Sequence, residues 1–201
     1  MPSIYDLKPR FQALLRPLAR ALAAGGVTAN QVTVAAAILS LAVGALIACY
    51  PHARWPLLLM PAALFIRMAL NAVDGMLARE HRMKSALGAF LNELGDVLSD
   101  SALYLPLAAI PGVNAAGIVV VVILALVSEM TGVIAVQIGA SRRYDGPMGK
   151  SDRAFVFGPA CLLLGIGLDA NRWFDAVMLV TTLLLIVTVV NRVRRALAEA
   201  R

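Results

Sequence analysis

Residues 71–96 read NAVDGMLAREHRMKSALGAFLNELGD, and they join two apolar segments of the chain. Carboxylates, amides and an arginine stand here where a membrane-spanning segment normally carries no polar side chain. Because polar groups at membrane depth are costly, they indicate a functional site by default. The stretch therefore predicts a helical hairpin and also the position of a site on it.

The composition is typical of a helical membrane protein. Hydrophobic residues make up 60% of the 201 residues and charged residues 15%, and the mean hydropathy is +0.80. A soluble domain of this size does not need so much apolar surface, whereas a membrane-embedded helical bundle does. We expect one domain over residues 1–201. Cys49 and Cys161 lie far apart in apolar segments, which predicts packing residues rather than a disulfide or a metal site.

The order of the segments predicts an all-α integral membrane protein. In residues 1–26, apolar side chains recur at helical spacing with basic residues between them, which predicts an interfacial amphipathic helix. A helix packed on a partner protein is the alternative. Residues 27–201 are predicted to form a bundle of six transmembrane helices, since most of the apolar segments reach the ~20 residues needed to span. These segments are Gln31–Tyr50, Trp55–Val73, Gly88–Leu107, Ala115–Gly139, Phe155–Leu168 and Phe174–Val190.

Lysine and arginine set the expected orientation. With both termini in the cytoplasm, fifteen of the eighteen basic residues lie on the cytoplasmic side, and only Arg54 and Arg172 lie outside. Such asymmetry is the main determinant of membrane topology. Basic residues in short connections also suit anionic lipid head groups, so the net charge of +6 predicts membrane lipids and not nucleic acid as the partner.

The spacing of the polar residues predicts a metal site. Asn71 and Asp74 share one helix face, and Asn92 and Asp96 share a face of the next helix. Because a short loop makes the two helices antiparallel neighbours, the four side chains can face each other near the cytoplasmic surface. Their oxygens are the ligands that a hard divalent cation such as Mg²⁺ prefers.

These residues resemble the motif of the CDP-alcohol phosphotransferases, D-x-x-D-G-x-x-A-R-x8-G-x-x-x-D-x-x-x-D. The matching positions here are Asn71, Asp74, Gly75, Ala78, Arg79, Gly88, Asn92 and Asp96. Asn30 and Thr33 look like the family's asparagine-threonine signature, and Gly149 with Lys150 resembles its Gly-Lys loop. Within the family the chain looks closest to a branch of bacterial inner-membrane proteins, the YnbA-like group, in which asparagine replaces two of the four aspartates.

The resemblance implies a transferase. It would move a phosphatidyl-type group from a CDP-linked lipid to a small alcohol with release of CMP, use Mg²⁺ or Mn²⁺, and form a homodimer in the bacterial inner membrane. Carried over by position, Asp74 binds metal and Asp96 is both metal ligand and catalytic base. The nucleotide-binding residues would be Asn30, Thr33, Asp74, Gly75, Ala78, Arg79 and Gly88.

Two departures from the motif weaken the metal site. Asn71 and Asn92 supply amide oxygens without charge, so Asp74 and Asp96 contribute two formal negative charges where the family has four. We expect weaker binding or a single ion, with Glu93 as an additional ligand or else a surface charge. The departures also leave a second function open, a catalytically altered relative that binds a nucleotide-lipid or a partner without transfer. A small transporter that uses the deeper charges is a third.

Arg67, Asp100 and Glu129 lie at one depth, roughly 18 Å from the cytoplasmic end of their helices. Because an unpaired charge at that depth is expensive, we expect Arg67 to pair with Asp100, with Glu129 close by. The layer either holds the helices together or tunes the site.

A basic loop has two interpretations as well. Arg142, Arg143, Lys150 and Arg153 either bind the diphosphate or an anionic acceptor, or are ordinary cytoplasmic positive charges. His81, in the short loop between the second and third spans, is predicted to be solvated rather than catalytic.

Overall fold

Residues 8–200 are described by the structure, which is a computed structural model. They form seven α-helices and one 3₁₀-helix, and no strand occurs in this range, which confirms the all-α class. The α-helices are α1 (Lys8–Ala24), α2 (Ala29–Cys49), α3 (Trp55–Glu80), α4 (Ala86–Tyr104), α5 (Ala115–Gln137), α6 (Lys150–Gly165) and α7 (Arg172–Glu199). The 3₁₀-helix is Leu105–Ala109 and follows α4 directly.

Side-chain caps fix where the site helices begin. Thr28 and Gln31 form a reciprocal capping box at the start of α2, with hydrogen bonds of 3.3 Å and 2.9 Å. Ser85 caps α4 by accepting a hydrogen bond of 2.9 Å from the Gly88 amide. The predicted third span, Gly88–Leu107, therefore starts two residues earlier than expected. The α-helix α4 gives way to a 3₁₀-helix at Leu105, next to Pro106, whose ring removes a backbone hydrogen-bond donor.

Four of the helices are long and apolar enough to cross a membrane, namely α2, α3, α5 and α7. The helix α4 does not qualify by composition, since it carries Glu93, Asp96 and Asp100. The helix α6 has 16 residues, and its bounds differ from the predicted Phe155–Leu168 because the chain becomes helical already at Lys150. Six crossing helices therefore stay a prediction, and α4 and α6 are the two that decide it.

Packing places α4 beside α2 along most of its length. Near the start of both helices, a Cβ on Gly88 would lie 2.7 Å from the Asn30 side chain. Towards their other ends, a Cβ on Gly44 would overlap the backbone carbonyl of Ala102, so only glycine fits at this crossing. Fourteen residues separate the two contacts on each helix, or about 21 Å. The two helices thus run in parallel over the same depth.

The N-terminal helix packs against the C-terminal part of α3. Ala19 of α1 belongs to a buried apolar cluster with Ala29 and Val32 of α2 and Val73, Met76 and Leu77 of α3. An exposed ion pair of 3.2 Å joins Arg16 to Glu80, whereas Leu14 is 76% exposed. One face of α1 is thus packed on α2 and α3 and another is exposed, and its position at a membrane interface stays a prediction. Residues 1–7, which include its expected first turn, lie outside the described range.

Candidate active site

Asp74 is buried in α3 and is held by a residue of α2. The Thr33 hydroxyl donates a hydrogen bond of 2.8 Å to Oδ2 of Asp74, and Asp74 is only 5% exposed. Gly75, the next residue, has no side chain, and the Arg79 side chain lies over it. Two residues that the sequence assigned to the nucleotide, Thr33 and Asp74, are therefore in direct contact.

Asp96 of α4 collects contacts from two other helices. The Asn71 amide of α3 donates to its Oδ1 at 3.4 Å, and the Lys150 ammonium of α6 lies 2.6 Å from its Oδ2. Arg67 reaches Oδ1 at 3.5 Å and also donates to the Asp96 backbone carbonyl at 3.1 Å. The carboxylate is thus held by one amide, one ammonium and one guanidinium.

The predicted ring of four oxygen ligands is assembled in part. Asn71 contacts Asp96, as the antiparallel hairpin predicted, but the Asn92 side chain makes no hydrogen bond within residues 8–200. Among the same residues no group of three or more His, Cys, Asp or Glu side chains is placed to hold a metal ion. The available donors are two carboxylates helped by amides.

The remaining residues predicted for the nucleotide divide into two groups. The Arg79 guanidinium lies over Gly75, where an added Cβ would be 2.9 Å from its nitrogen, and Arg79 is exposed without an ion pair in the described chain. Asn30 donates to Ser85 at 3.5 Å beside Gly88, so these residues join the starts of α2 and α4. Ala78 differs, because it packs against the apolar cluster of α1 and α2.

The deeper layer contains the predicted pair. Arg67 donates to Oδ1 of Asp100, and both side chains are buried. Glu129 is buried too, but it joins the layer through Arg153 rather than Arg67. The fully buried Arg153 guanidinium lies 2.6 Å from Asp100 and 3.1 Å from Glu129. Breaking such a buried pair on one side costs about 3–5 kcal/mol, because the remaining charge is left uncompensated.

The basic loop before α6 is paired with acids. Arg142 binds both carboxylate oxygens of Glu93, at 3.0 Å and 2.8 Å, and reaches Glu129 at 3.0 Å. Glu93 is therefore neither a free surface charge nor an open metal ligand. Arg143 binds Asp145 at 2.7 Å and also donates to Glu199. The assignment of Arg142, Arg143, Lys150 and Arg153 as ligands of the diphosphate or of an anionic acceptor stays a prediction.

Asp145 anchors this loop electrostatically. Burial alone would raise the pKa of its carboxyl, but hydrogen bonds from Arg143 and Arg195 outweigh burial and hold that pKa below its usual range. Asp145 is thus ionised wherever the pH is above the ordinary range of an aspartate. Its contribution to stability is lost only as the pH falls through the lowered value.

Arg192 is the site residue that sequence reasoning missed. It is 1% exposed, donates to the carbonyl oxygens of Ser128 and Asp145, the latter at 3.2 Å, and lies 3.4 Å from Glu129. In the sequence it counts only as one more cytoplasmic basic residue. The spacing along α7 could have indicated that Arg192 is buried, because it stands three or four residues from other residues of one buried face. These buried residues are Thr181, Leu185, Thr188, Arg192 and Ala196.

Two solved structures share this fold. Both are of phosphatidylinositol phosphate synthase (PgsA1) from Mycobacterium tuberculosis, one in complex with manganese and citrate and one with CDP-DAG bound. The first has a TM-score of 0.74 at 18% identity and covers 91% of this chain and 88% of the other. The second has a TM-score of 0.69 at 21% identity and covers 92% of each chain.

Sequence comparison identifies a nearer relative. The Escherichia coli K12 inner membrane protein YnbA is 45% identical over 197 residues, which are 97% of this chain and 96% of that protein. The model of the CDP-alcohol phosphatidyltransferase family matches residues 26–187, from just before α2 into α7. With most of its length matched in this way, the chain belongs to the CDP-alcohol phosphatidyltransferase family.

Proposed function

We propose that this chain transfers a phosphatidyl-type group from a CDP-linked lipid such as CDP-diacylglycerol to an alcohol, with release of CMP. The observation that carries the proposal is the set of contacts around Asp96. One motif carboxylate of α4 is held by Asn71 of α3 and Lys150 of α6, in the same part of the bundle as the Thr33–Asp74 pair. The fold shared with a synthase that binds CDP-DAG supports it.

The donor's diphosphate would bind on the α3 side of the site. Arg79 is exposed there and lies over Gly75, so its guanidinium can form paired hydrogen bonds with phosphate oxygens. Asn30 and Gly88 at the joined starts of α2 and α4 would contact the nucleotide. Ala78 would have an indirect part, since it holds α3 against α1 and α2.

The donor set fits one divalent cation, Mg²⁺ or Mn²⁺. Asp74 and Asp96 supply two formal negative charges, and Lys150 brings one positive charge to Asp96. Asn71 and Asn92 would add neutral amide oxygens. Such a cation would supply charge stabilisation for the phosphate oxygens during transfer. Manganese in the PgsA1 complex supports a divalent ion in this fold.

Asp96 would act as the base. Its carboxylate would take the proton of the acceptor hydroxyl while that oxygen attacks the lipid-bearing phosphorus. The bond from this phosphorus to the oxygen that bridges it to CMP breaks, and CMP leaves with that oxygen. Arg67 positions Asp96 by holding its backbone carbonyl and one carboxylate oxygen. Asn71 orients the same carboxylate from α3.

A direct test uses the full chain in lipid nanodiscs with CDP-diacylglycerol, Mn²⁺ and a panel of alcohols. We expect CMP release that depends on the acceptor, and we expect the Asp96→Asn variant to lose it, because an amide cannot accept the hydroxyl proton. Asp169→Asn is the matched control, since Asp169 forms an exposed ion pair with Arg54 and has no part in the site. Full activity of Asp96→Asn would exclude the assigned base.

A second candidate function is binding without transfer. It is favoured by the Lys150 ammonium, which lies 2.6 Å from the carboxylate that would otherwise act as base and metal ligand. An enzyme that has lost transfer would keep the nucleotide site and bind a nucleotide-lipid or a partner. Its mark would be binding of CDP-diacylglycerol without CMP release from any acceptor.

We also propose a location and an assembly for the chain. It would be a multi-pass protein of the bacterial inner membrane with both termini in the cytoplasm, and it would form a homodimer. The inner-membrane name of YnbA and the four long apolar helices support the location.

A further inference from the structure

Most of the basic residues on the α6 and α7 side of the site are already neutralised by the protein's own acids, and Arg194, which is exposed, has no ion pair in the described chain. Six of them, here called the basic cluster, each lie within 3.4 Å of a carboxylate oxygen: Arg142, Arg143, Lys150, Arg153, Arg192 and Arg195. From this arrangement we infer that the acceptor is an alcohol without a phosphate or other anionic group. The inference rests on the proposed transferase function and names its acceptor class.

The two most deeply buried members of the basic cluster are held most firmly. Arg153 is 0% exposed and divides its guanidinium between Asp100 and Glu129. Arg192 is 1% exposed and donates to two backbone carbonyls as well as lying beside Glu129. A phosphate could reach either guanidinium only by displacing a buried carboxylate, and that carboxylate would lose its partner away from water.

Arg142 is tied to two helices at once. It binds both oxygens of Glu93 on α4 and one oxygen of Glu129 on α5. Paired contacts of this kind are the ones that Arg would otherwise offer to a phosphate. The Glu93 carboxylate thus occupies the place of an anionic ligand. An incoming phosphate, which carries about −1.5 to −2 at pH 7, would meet its repulsion.

Lys150 is the most open member near the reacting groups, and its ammonium lies 2.6 Å from Asp96. The α3 side differs, because Arg79 is exposed and has no ion pair in the described chain. An available guanidinium therefore stands on the α3 side, where we propose that the donor diphosphate binds. The basic residues that the sequence offered for an anionic acceptor stand on the α6 and α7 side and are paired. Carboxylates such as Glu93 can accept hydrogen bonds from the hydroxyls of an uncharged alcohol.

The decisive experiment compares matched acceptors that differ by one phosphate. The full chain in nanodiscs with CDP-diacylglycerol and Mn²⁺ is given glycerol or glycerol 3-phosphate, and inositol or inositol 3-phosphate, at equal concentration. CMP and the lipid product are measured together. We expect at least about tenfold faster transfer to the uncharged member of the productive pair.

Two results would overturn the inference, and they differ in what they mean for the transferase proposal. Equal or faster transfer to a phosphorylated member overturns the inference and leaves the transferase proposal standing. No CMP release with any acceptor overturns both.

The Glu93→Gln variant tests the inference by weakening one of the pairs in the basic cluster. Glu93→Gln removes the charge that holds Arg142 and keeps the side-chain size. We expect the ratio of transfer to glycerol 3-phosphate over glycerol to rise about fivefold or more, because Arg142 then keeps only one carboxylate partner, Glu129. Glu80→Gln is the control, since Glu80 pairs with Arg16 on the exposed face of α3. An unchanged ratio in a folded Glu93→Gln protein contradicts the inference, and the acceptor panel with the parent chain decides it if the variant does not fold.

Discussion

Asp96 shows how single residues set the charge of the site. Its carboxylate is contacted by Asn71, Lys150 and Arg67, which donate hydrogens or carry positive charge, and by no second carboxylate among the described hydrogen bonds and ion pairs. Together with Asp74, the centre then has two negative charges, with the positive charges of Lys150 and Arg67 beside Asp96. A hard divalent cation is bound mainly through ligand charge, so the number of acids should decide its affinity.

Asn71→Asp tests this charge argument. A third carboxylate next to Asp96 should tighten Mn²⁺ binding by about tenfold, because attraction to a divalent ion in a partly buried site is weakly screened. Titration calorimetry on the nanodisc protein measures the affinity. Lys150→Gln removes one positive charge beside Asp96 and should also tighten Mn²⁺ binding.

The control for this measurement is Asn114→Asp. Asn114 caps the start of α5, far along the chain from the motif, and aspartate caps a helix equally well. An affinity for Mn²⁺ that stays unchanged in both Asn71→Asp and Lys150→Gln would show that the metal, if bound, is held elsewhere.

The motif positions and the Arg67–Asp100 pair were predictable from spacing, because residues three, four or twelve apart on a helix have defined faces and depths. The partners of those residues on other helices were not. Thr33 and Asp74 are 41 residues apart, and Lys150 and Asp96 are 54 apart. No local pattern specifies such contacts. They depend on which faces of α2, α4 and α6 turn inward, and that is settled only when all the helices pack.

At the scale of elements, the connection between α5 and α6 is shaped by one glycine. A Cβ on Gly132 of α5 would overlap the Arg142 guanidinium and lie 2.5 Å from the Arg143 carbonyl. The Arg143 amide also donates to the Gly132 carbonyl at 3.3 Å. Gly132 therefore lets this connection fold back onto α5 and brings Arg142 to Glu93 and Glu129.

Gly132→Ala should displace the connection. We expect a loss of about 1–3 kcal/mol in unfolding free energy, the usual cost of overpacking, and slower CMP release because Lys150 follows directly on the displaced segment. Thermal unfolding in nanodiscs and the CMP assay measure the two effects.

Gly117→Ala on the same helix is the matched control. A Cβ there would have its nearest neighbours at 3.7 Å, an ordinary contact. The change should leave activity intact and slightly stabilise the helix, because alanine has the higher helix propensity. If Gly132→Ala and Gly117→Ala behave alike, the connection is not held by close approach to α5.

Hydropathy placed α2 and α5 to within two residues and misplaced ends of the helices that carry charge. Helix α3 continues past the predicted Val73 to Glu80, and α7 continues past the predicted Val190 to Glu199. In α4, three acids interrupt the apolar pattern, yet Ser85 caps the helix before the predicted start. In α6, Lys150 and Arg153 looked like loop residues, although their partners Asp96 and Asp100 draw them into the bundle as helix. A charge neutralised by a distant acid cannot be told from a solvated one in sequence alone.

For the whole molecule, the open question is whether α4 and α6 cross the membrane. Six crossings put residues 110–114 outside and residues 81–85 inside. Were α4 to stay on the cytoplasmic side, residues 110–114 would be inside as well. Two contacts between α2 and α4 favour a crossing. Gly88 lies beside Asn30, and Ala102 lies beside Gly44 about 21 Å further along, so α4 extends to the same depth as α2.

Cysteine accessibility decides between these topologies. In a chain with Cys49 and Cys161 replaced by alanine, single cysteines are placed at two exposed positions, Lys84→Cys and Ala115→Cys. An impermeant maleimide added to intact cells should label Ala115→Cys at once and Lys84→Cys only after the membrane is permeabilised. Labelling of both only after permeabilisation would mean that α4 turns back. Its acids would then be near water, and the energetic reason for pairing Asp100 with two arginines would be largely gone.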